Sequence, residues 1–302
     1  MTGYAHYQYA QSLAEFGTPQ QLPQSRGWIL CRPIPGSPHQ DAMGCYPLFS
    51  CKDWSLLYYD LEELENNLVT LSLVTDPFGA YDEAYLQQCF RDVVIQYKKH
   101  YIVDLHRPID EIVCKHHRYY ARKALKSVSI EECPDPTLLV EEWLEFYSNL
   151  MKKHKFKGIK AFSKTAFLKQ MNTPGMVMFR AVSRDVSVGA HLWYLQGDIA
   201  HSHLAAFSTN GYDIGASYAL YWVAIKHFAE KGLRWLNLGA GAGVKGDTLD
   251  GLSLFKRGWA TGTKTAYFCG RIFNRSKYKE ILNTTKTSAA DYFPAYRQGE
   301  FE

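Results

Sequence analysis

Tyr221-Trp-Val-Ala-Ile-Lys-His-Phe-Ala-Glu-Lys-Gly232, Leu236-Asn-Leu-Gly239 and Gly251-Leu-Ser-Leu-Phe-Lys-Arg-Gly258 follow one another late in a 302-residue chain. The first run reads as a helix. Leu220, Val223, Ala224, His227 and Phe228 fall on one side at helical spacing, and Gly232 stops it. The second run is a short strand. Working back toward the N-terminus, residues 188–194 and Ile199–Phe207 read as strands. Asn210-Gly211-Tyr212 forms a turn that leads through Gly215, Ala216 and Ser217 into the helix. A strand that empties into a helix N-terminus points open amides and the positive end of the helix dipole outward, which is how a backbone holds an anion.

Further out, 69–74, 101–105, 128–132, 176–182, 235–238 and 264–273 read as strands. Leu86, Cys89, Phe90, Val93, Val94 and Tyr97 suggest a helix behind an Asp82 cap. Leu139, Trp143, Phe146, Tyr147 and Leu150 suggest another, and 115–126 a basic one. The strand–turn–helix–strand series occurs twice. Val103-Asp104-Leu105 precedes Leu236-Asn237-Leu238 by 133 residues, and Arg122-Lys123 precedes Lys256-Arg257 by 134. A near-constant offset suggests a duplicated α/β unit with its seam at 133–137.

Composition restricts the class. Hydrophobic residues at 46% and charged residues at 21% are those of a globular chain, and a net charge of +4 gives no bulk argument for nucleic acid. Seven cysteines, an odd number with no CxxC pair, argue against a zinc ribbon and a disulfide framework. Met1 to Gln24 has no basic start followed by an apolar run, and no stretch of about 18 apolar residues occurs. A cytoplasmic protein with reduced thiols is expected.

The order and spacing of these pieces, from about residue 67 onward, resemble FemAB-like proteins of the GNAT acyltransferase superfamily. Val74-Thr-Asp-Pro77, residues 101–105, the Arg-containing run His117-Arg-Tyr-Tyr-Ala-Arg-Lys-Ala124, the 139–154 helix and 162–170 carry the first part. The three runs quoted at the outset carry the rest. The resemblance implies an α/β (α+β) fold of tandem GNAT-like domains, each a mixed twisted sheet flanked by helices. It places an N-terminal domain at 1–133 and a C-terminal domain with the donor site at 134–302. It implies N-acyl transfer, by direct attack of an amine on an acyl or aminoacyl donor. No cofactor is held permanently; acyl-CoA, acyl-carrier protein or aminoacyl-tRNA is the co-substrate, and the acceptor is a metabolite, saccharide or peptidoglycan precursor of the cell envelope. One departure stands out. Where CoA-dependent GNAT enzymes carry Gln/Arg-x-x-Gly-x-Gly/Ala, this chain has Asn210-Gly-Tyr-Asp-Ile-Gly215, and the Asp213 carboxylate would repel a pyrophosphate or cap the helix instead. This favours an aminoacyl-tRNA-dependent, peptidoglycan-type transferase as the alternative; a GNAT-fold scaffold with a decayed site is another.

Lys256 is expected to stabilise the oxyanion of acyl transfer and Arg257 to bind donor phosphate, though adjacent Lys–Arg is also an ordinary solvated pair. His203 is a base candidate on the strand where His201 shares its face, with His191 on the next strand. A histidine so placed is more often a satisfied core residue. Tyr218 and Asn237 would border the cleft and hydrogen-bond donor or acceptor. Lys115, Arg118, Arg122 and Lys126 lie along one side of a helix, suited either to tRNA phosphate or to a wet face over the core. Two motifs are set aside. Gly241-Ala-Gly-Val-Lys-Gly246 satisfies GxGxxG but lacks the helix and acid of a dinucleotide site, and is expected as a loop over the cleft. Cys114-Lys-His-His117 has loose metal spacing inside a basic segment, so no metal is expected. Trp54, Tyr58 and Tyr59 suit sugar stacking or a core.

Overall fold

The computed structural model describes residues 1–154, 158–242, 250–287 and 291–300. Eleven strands form one mixed sheet: β1 (Thr18–Gln21), β2 (Trp28–Pro33), β3 (Gln40–Gly44), β4 (Thr70–Val74), β5 (Val93–Asp104), β6 (Ser129–Cys133), β7 (Met176–Ser183), β8 (Val186–Gln196), β9 (Ile199–Phe207), β10 (Trp235–Asn237) and β11 (Gly262–Ile272). Their order across the sheet is β1-β2-β3-β4-β11-β5-β10-β9-β8-β7-β6. The β3–β4 and β9–β10 neighbours are parallel. The helices are α1 (Tyr7–Ser12), α2 (Leu57–Glu63), α3 (Glu83–Cys89), α4 (Ile109–Ile112), α5 (Lys115–Ala124), α6 (Val140–His154), α7 (Lys164–Met171), α8 (Thr209–Asp213), α9 (Ala216–Glu230), α10 (Gly251–Arg257) and α11 (Arg275–Thr285).

The helices cover both faces of the sheet. Along β8 the side chains alternate: Trp193 packs with Leu220 and Phe228 of α9, while Leu192 and Tyr194 pack with Trp143 of α6 and Phe167 of α7. A further core under α2 and α3 joins Leu57, Leu61 and Leu86 to Ile29 and Leu71. Residues 1–133 supply β1 to β6 and residues 134–302 supply β7 to β11. Each set places one strand among the other's: β6 pairs with β7, and β11 lies between β4 and β5.

Two local readings are corrected. The helix expected through Tyr97 ends at Cys89, and Val93, Val94 and Tyr97 belong to β5. Their helical spacing loses to twelve residues rich in β-branched and aromatic side chains that pair with β11 on one side and β10 on the other. Residues 209–213 form a short helix, with the Ser208 hydroxyl capping the Gly211 N–H at 3.1 Å. Gly211 is required there, because a Cβ would stand 2.0 Å from the Val188 carbonyl oxygen. Gly215 then takes φ +71, a left-handed corner that lets α9 start in a new direction.

Leu236 pairs with Val103 in the antiparallel β10–β5 ladder, so the segments related by the 133-residue offset lie side by side. On its other edge β10 pairs with β9 only through Trp235–Ile199, Leu236–Ala200 and Asn237–His201. Beyond that point the chain follows β5: Leu238 N–H donates to Tyr101 O at 2.9 Å and Tyr101 N–H to Gly239 O at 3.0 Å. β9 continues to Phe207 without a β10 partner. The two strands part here.

Candidate functional site

The parting of β9 and β10 is lined by polar side chains that burial makes unusual. Asn237, the last residue of β10, is 2% exposed. Its Oδ1 accepts from the Gly239 N–H at 2.9 Å and lies 3.0 Å from His100 Nδ1; its Nδ2 donates to His201 Nδ1 at 3.1 Å. The amide orientation set by Gly239 fixes both tautomers. His100 donates from Nδ1, and His201 accepts at Nδ1 and so carries its proton on Nε2. That Nε2 has no hydrogen-bond partner among the described residues and stands 4.0 Å from Asp76 Oδ2. A buried chain His100–Asn237–His201–Asp76 therefore runs across the point where the strands separate. Burial lowers both histidine pKa values, that of His100 to about 3.

Lys256 reaches the same point from α10. Asp250 caps this helix, its Oδ1 accepting from Leu252 N–H at 2.9 Å and Ser253 N–H at 3.0 Å. A helix thus does begin after the glycine-rich run, where none was expected. Ser253 and Lys256 lie on its buried side, while Arg257 is exposed. Lys256 Nζ donates to Ala240 O at 2.7 Å. The Cα of Gly239 faces it so closely that a Cβ would be 3.2 Å from Nζ. Desolvation, with a smaller contribution from the Lys98 charge, pulls the Lys256 pKa down to about 7; Asp250 acts in the opposite direction. His191 feels the same ammonium, and burial takes it to about 3. Its Nε2 lies 2.8 Å from Ser202 Oγ, and its ring lies against Trp193 and Tyr221.

A second, outer group surrounds the start of α9. No side chain caps this helix at Gly215, so Asp213, which is exposed, does not serve as its cap. Ala216 is buried and Ser217 half-buried, behind the Gly215 corner. The Tyr218 ring stacks on Tyr120 and meets His117, Phe255 and Trp259. Gly258 permits this packing, because a Cβ there would enter the His117 ring. The His117 imidazole bridges Cys114 Sγ at 3.3 Å and Phe255 O at 2.8 Å.

The expected site residues therefore divide. Lys256 and Asn237 converge at the strand split, and Tyr218 flanks it across Phe255. Asn210, Gly211 and Tyr212 sit one short helix earlier; Asn210 and Tyr212 are exposed and Gly211 is buried against β8. The nearest atoms to a Cβ on Gly215 belong to Tyr218 and Ala124, not to Lys256. His203 is elsewhere, in the core beside α1 and α7. Its Nδ1 is 3.1 Å from Tyr4 Oη and its Nε2 is 3.1 Å from Gln170 Oε1, so both ring nitrogens are occupied. Trp54 is buried and Tyr59 exposed. Of the GxGxxG run, residues 243–246 lie outside the described residues. Two surface clefts of about 240 and 390 Å³ are lined by none of the site residues. Among the described residues no group of three His, Cys, Asp or Glu is placed to hold a metal. No described helix is long and apolar enough to cross a membrane.

His100 and Asp76 escaped the reading of the sequence. The signal was the 133-residue offset: pairing Val103 with Leu236 sets β5 against β10 and brings His100 within reach of Asn237.

Residues 114–246 match the family model of the acetyltransferase (GNAT) domain. No curated protein sequence matches the chain. Among solved structures, FemX superposes with a TM-score of 0.65 at 13% identity, covering 91% of this chain and 93% of FemX. L-PGS from Bacillus licheniformis superposes with a TM-score of 0.61 at 15% identity, covering 93% and 96%. A C-terminal domain from Agrobacterium fabrum, provisionally named a lysylphosphatidylglycerol synthetase, gives 0.65 at 13% identity, with 95% and 92% covered. Residues 114–246 thus carry a GNAT domain, and over nine-tenths of its length the chain has the fold of FemX.

Proposed function

We propose that this protein is an acyltransferase that moves an acyl or aminoacyl group from an ester or thioester donor to an amine, with the reacting carbonyl held where β9 and β10 part. The observation that carries this reading is the Lys256 ammonium, buried at that parting and fixed there by the Ala240 carbonyl. An ammonium has three donors, and among the described residues one is used, on the Ala240 carbonyl. The others remain to meet the oxygen on which charge develops when the amine adds to the carbonyl. The new C–N bond forms as the C–O or C–S bond to the donor breaks. With its pKa lowered to about 7, Lys256 is acidic enough to protonate the departing oxygen or sulfur and then recover a proton. Asn237 is a positioning residue, holding the Gly239 turn against Lys256.

FemX and the L-PGS structures suggest an acceptor that is a peptidoglycan precursor or a lipid, within the wider class of amine-bearing metabolites and saccharides. Exposed Asp213, in the place of the usual pyrophosphate signature, favours aminoacyl-tRNA over acyl-CoA or acyl-carrier protein as donor. Thermal unfolding with CoA thioesters and with charged tRNA tests this, because a ligand that binds the folded chain raises its midpoint. A rise with charged tRNA alone, and transfer abolished in Lys256→Met, are expected. No rise with any donor would favour a scaffold whose transferase site has decayed.

A further inference from the structure

Of twelve large apolar side chains exposed among the described residues, six come from three elements that meet around the start of α9. These are Tyr119, Tyr120 and Leu125 of α5 and its end, Tyr212 of α8, and Leu252 and Leu254 of α10. Cys114 N–H donates to Gly258 O at 3.0 Å, tying α5 to α10. A Cβ on Gly215 would lie 4.0 Å from that of Ala124, which ties the end of α5 to the α8–α9 corner.

The same region is basic. Lys115, Tyr119, Arg122 and Lys126 form a stripe along the exposed side of α5, with Lys123 beside it and no acidic residue in the helix. Arg118 is engaged by Asp110 at 2.6 Å. The exposed carboxylate of Asp213 is outnumbered four to one by Lys115, Arg122, Lys123 and Lys126.

We infer that this surface docks on an anionic lipid bilayer. Cations alone would suit RNA phosphate equally well, and tyrosine faces would suit bases. Leu252 and Leu254, 42% and 50% exposed, decide between them. An aliphatic side chain gains nothing against a phosphate backbone, whereas it leaves water on entering the headgroup–acyl boundary. Basic and aromatic groups with aliphatic tips are the composition of an interfacial anchor. The inference deepens the transferase reading by placing its acceptor at a membrane. Its test reads binding and not turnover, so the two stand or fall separately.

The experiment is co-sedimentation of the full chain with vesicles of phosphatidylglycerol in phosphatidylcholine, against phosphatidylcholine alone, with tRNA binding measured in parallel. Binding to the anionic vesicles is expected, weakening as salt rises. Lys115→Gln/Arg122→Gln/Lys126→Gln should lower partitioning on the order of 100-fold. Leu252→Ser/Leu254→Ser should lower it about 10-fold while leaving any tRNA affinity unchanged. All five side chains are on the surface, so an unchanged unfolding midpoint shows that each variant folds. Equal partitioning onto neutral vesicles, wild-type vesicle binding by the leucine variant, or tRNA binding lost in the charge variant with no vesicle binding would each overturn the inference.

Discussion

Lys256 and Arg257 are neighbours in sequence, and the helix turns them to different sides, Lys256 buried at the strand split and Arg257 exposed. A lysine in the unfolded chain titrates near 10.5, whereas in the folded protein Lys256 titrates near 7. Between those values the unfolded chain holds a proton that the folded chain lacks, so this residue makes stability rise with pH from about 7 to about 10.5. Below about 7 the cost of the buried charge is present in full. Lys256→Met should therefore flatten that slope in urea titrations at successive pH values, and lower the transfer rate at least about 100-fold. A variant with wild-type turnover would remove Lys256 from the reaction. Asn237→Ala should destabilise by about 3 kcal/mol in urea unfolding, since His100, His201 and the Gly239 amide lose their shared partner together. His203, which reads from sequence much like His201, lies two residues further along β9, where Tyr4 and Gln170 satisfy it. Residue type and alternation identify a face, but the helix laid on that face decides what a histidine meets.

Among the elements, β7, β8, β9, α6 and α9 were legible because their apolar periodicity agrees with their burial. The 86–97 stretch was not, because its helical spacing is local and the pairing that overrides it comes from β11, about 170 residues later. Helix α10 was hidden for a different reason: its one clear signal is a single cap, Asp250, after a glycine-rich run. Asp250→Ala should cost about 1 kcal/mol of stability and, by loosening α10, reduce transfer more than it reduces the unfolding midpoint. Equal loss of both would make the cap merely structural. Gly211→Ala tests the close approach of α8 to β8; a Cβ 2.0 Å from the Val188 oxygen must displace backbone, so the variant should unfold at distinctly lower temperature.

For the whole molecule, the GNAT domain and the mixed sheet were readable from the order of motifs, while the strand exchange was not, because no local pattern in β6 or β11 states which neighbour it takes. The exchange can be tested directly. Residues 1–133 expressed alone lack β11, which leaves facing edges of β4 and β5 unpaired, and they lack β7 as the partner of β6. Such a fragment should be insoluble or show no cooperative unfolding by circular dichroism. A soluble, cooperatively melting fragment would show that the first half closes its own sheet.

The position of β11 also bears on how the protein is made. As the chain leaves the ribosome, β4 and β5 emerge long before the strand that separates them, so the nascent N-terminal half cannot complete its hydrogen-bond ladder during synthesis. Until Gly262–Ile272 arrives, those edges are open to one another and to other chains, and a chaperone that shields them would raise the yield of native protein.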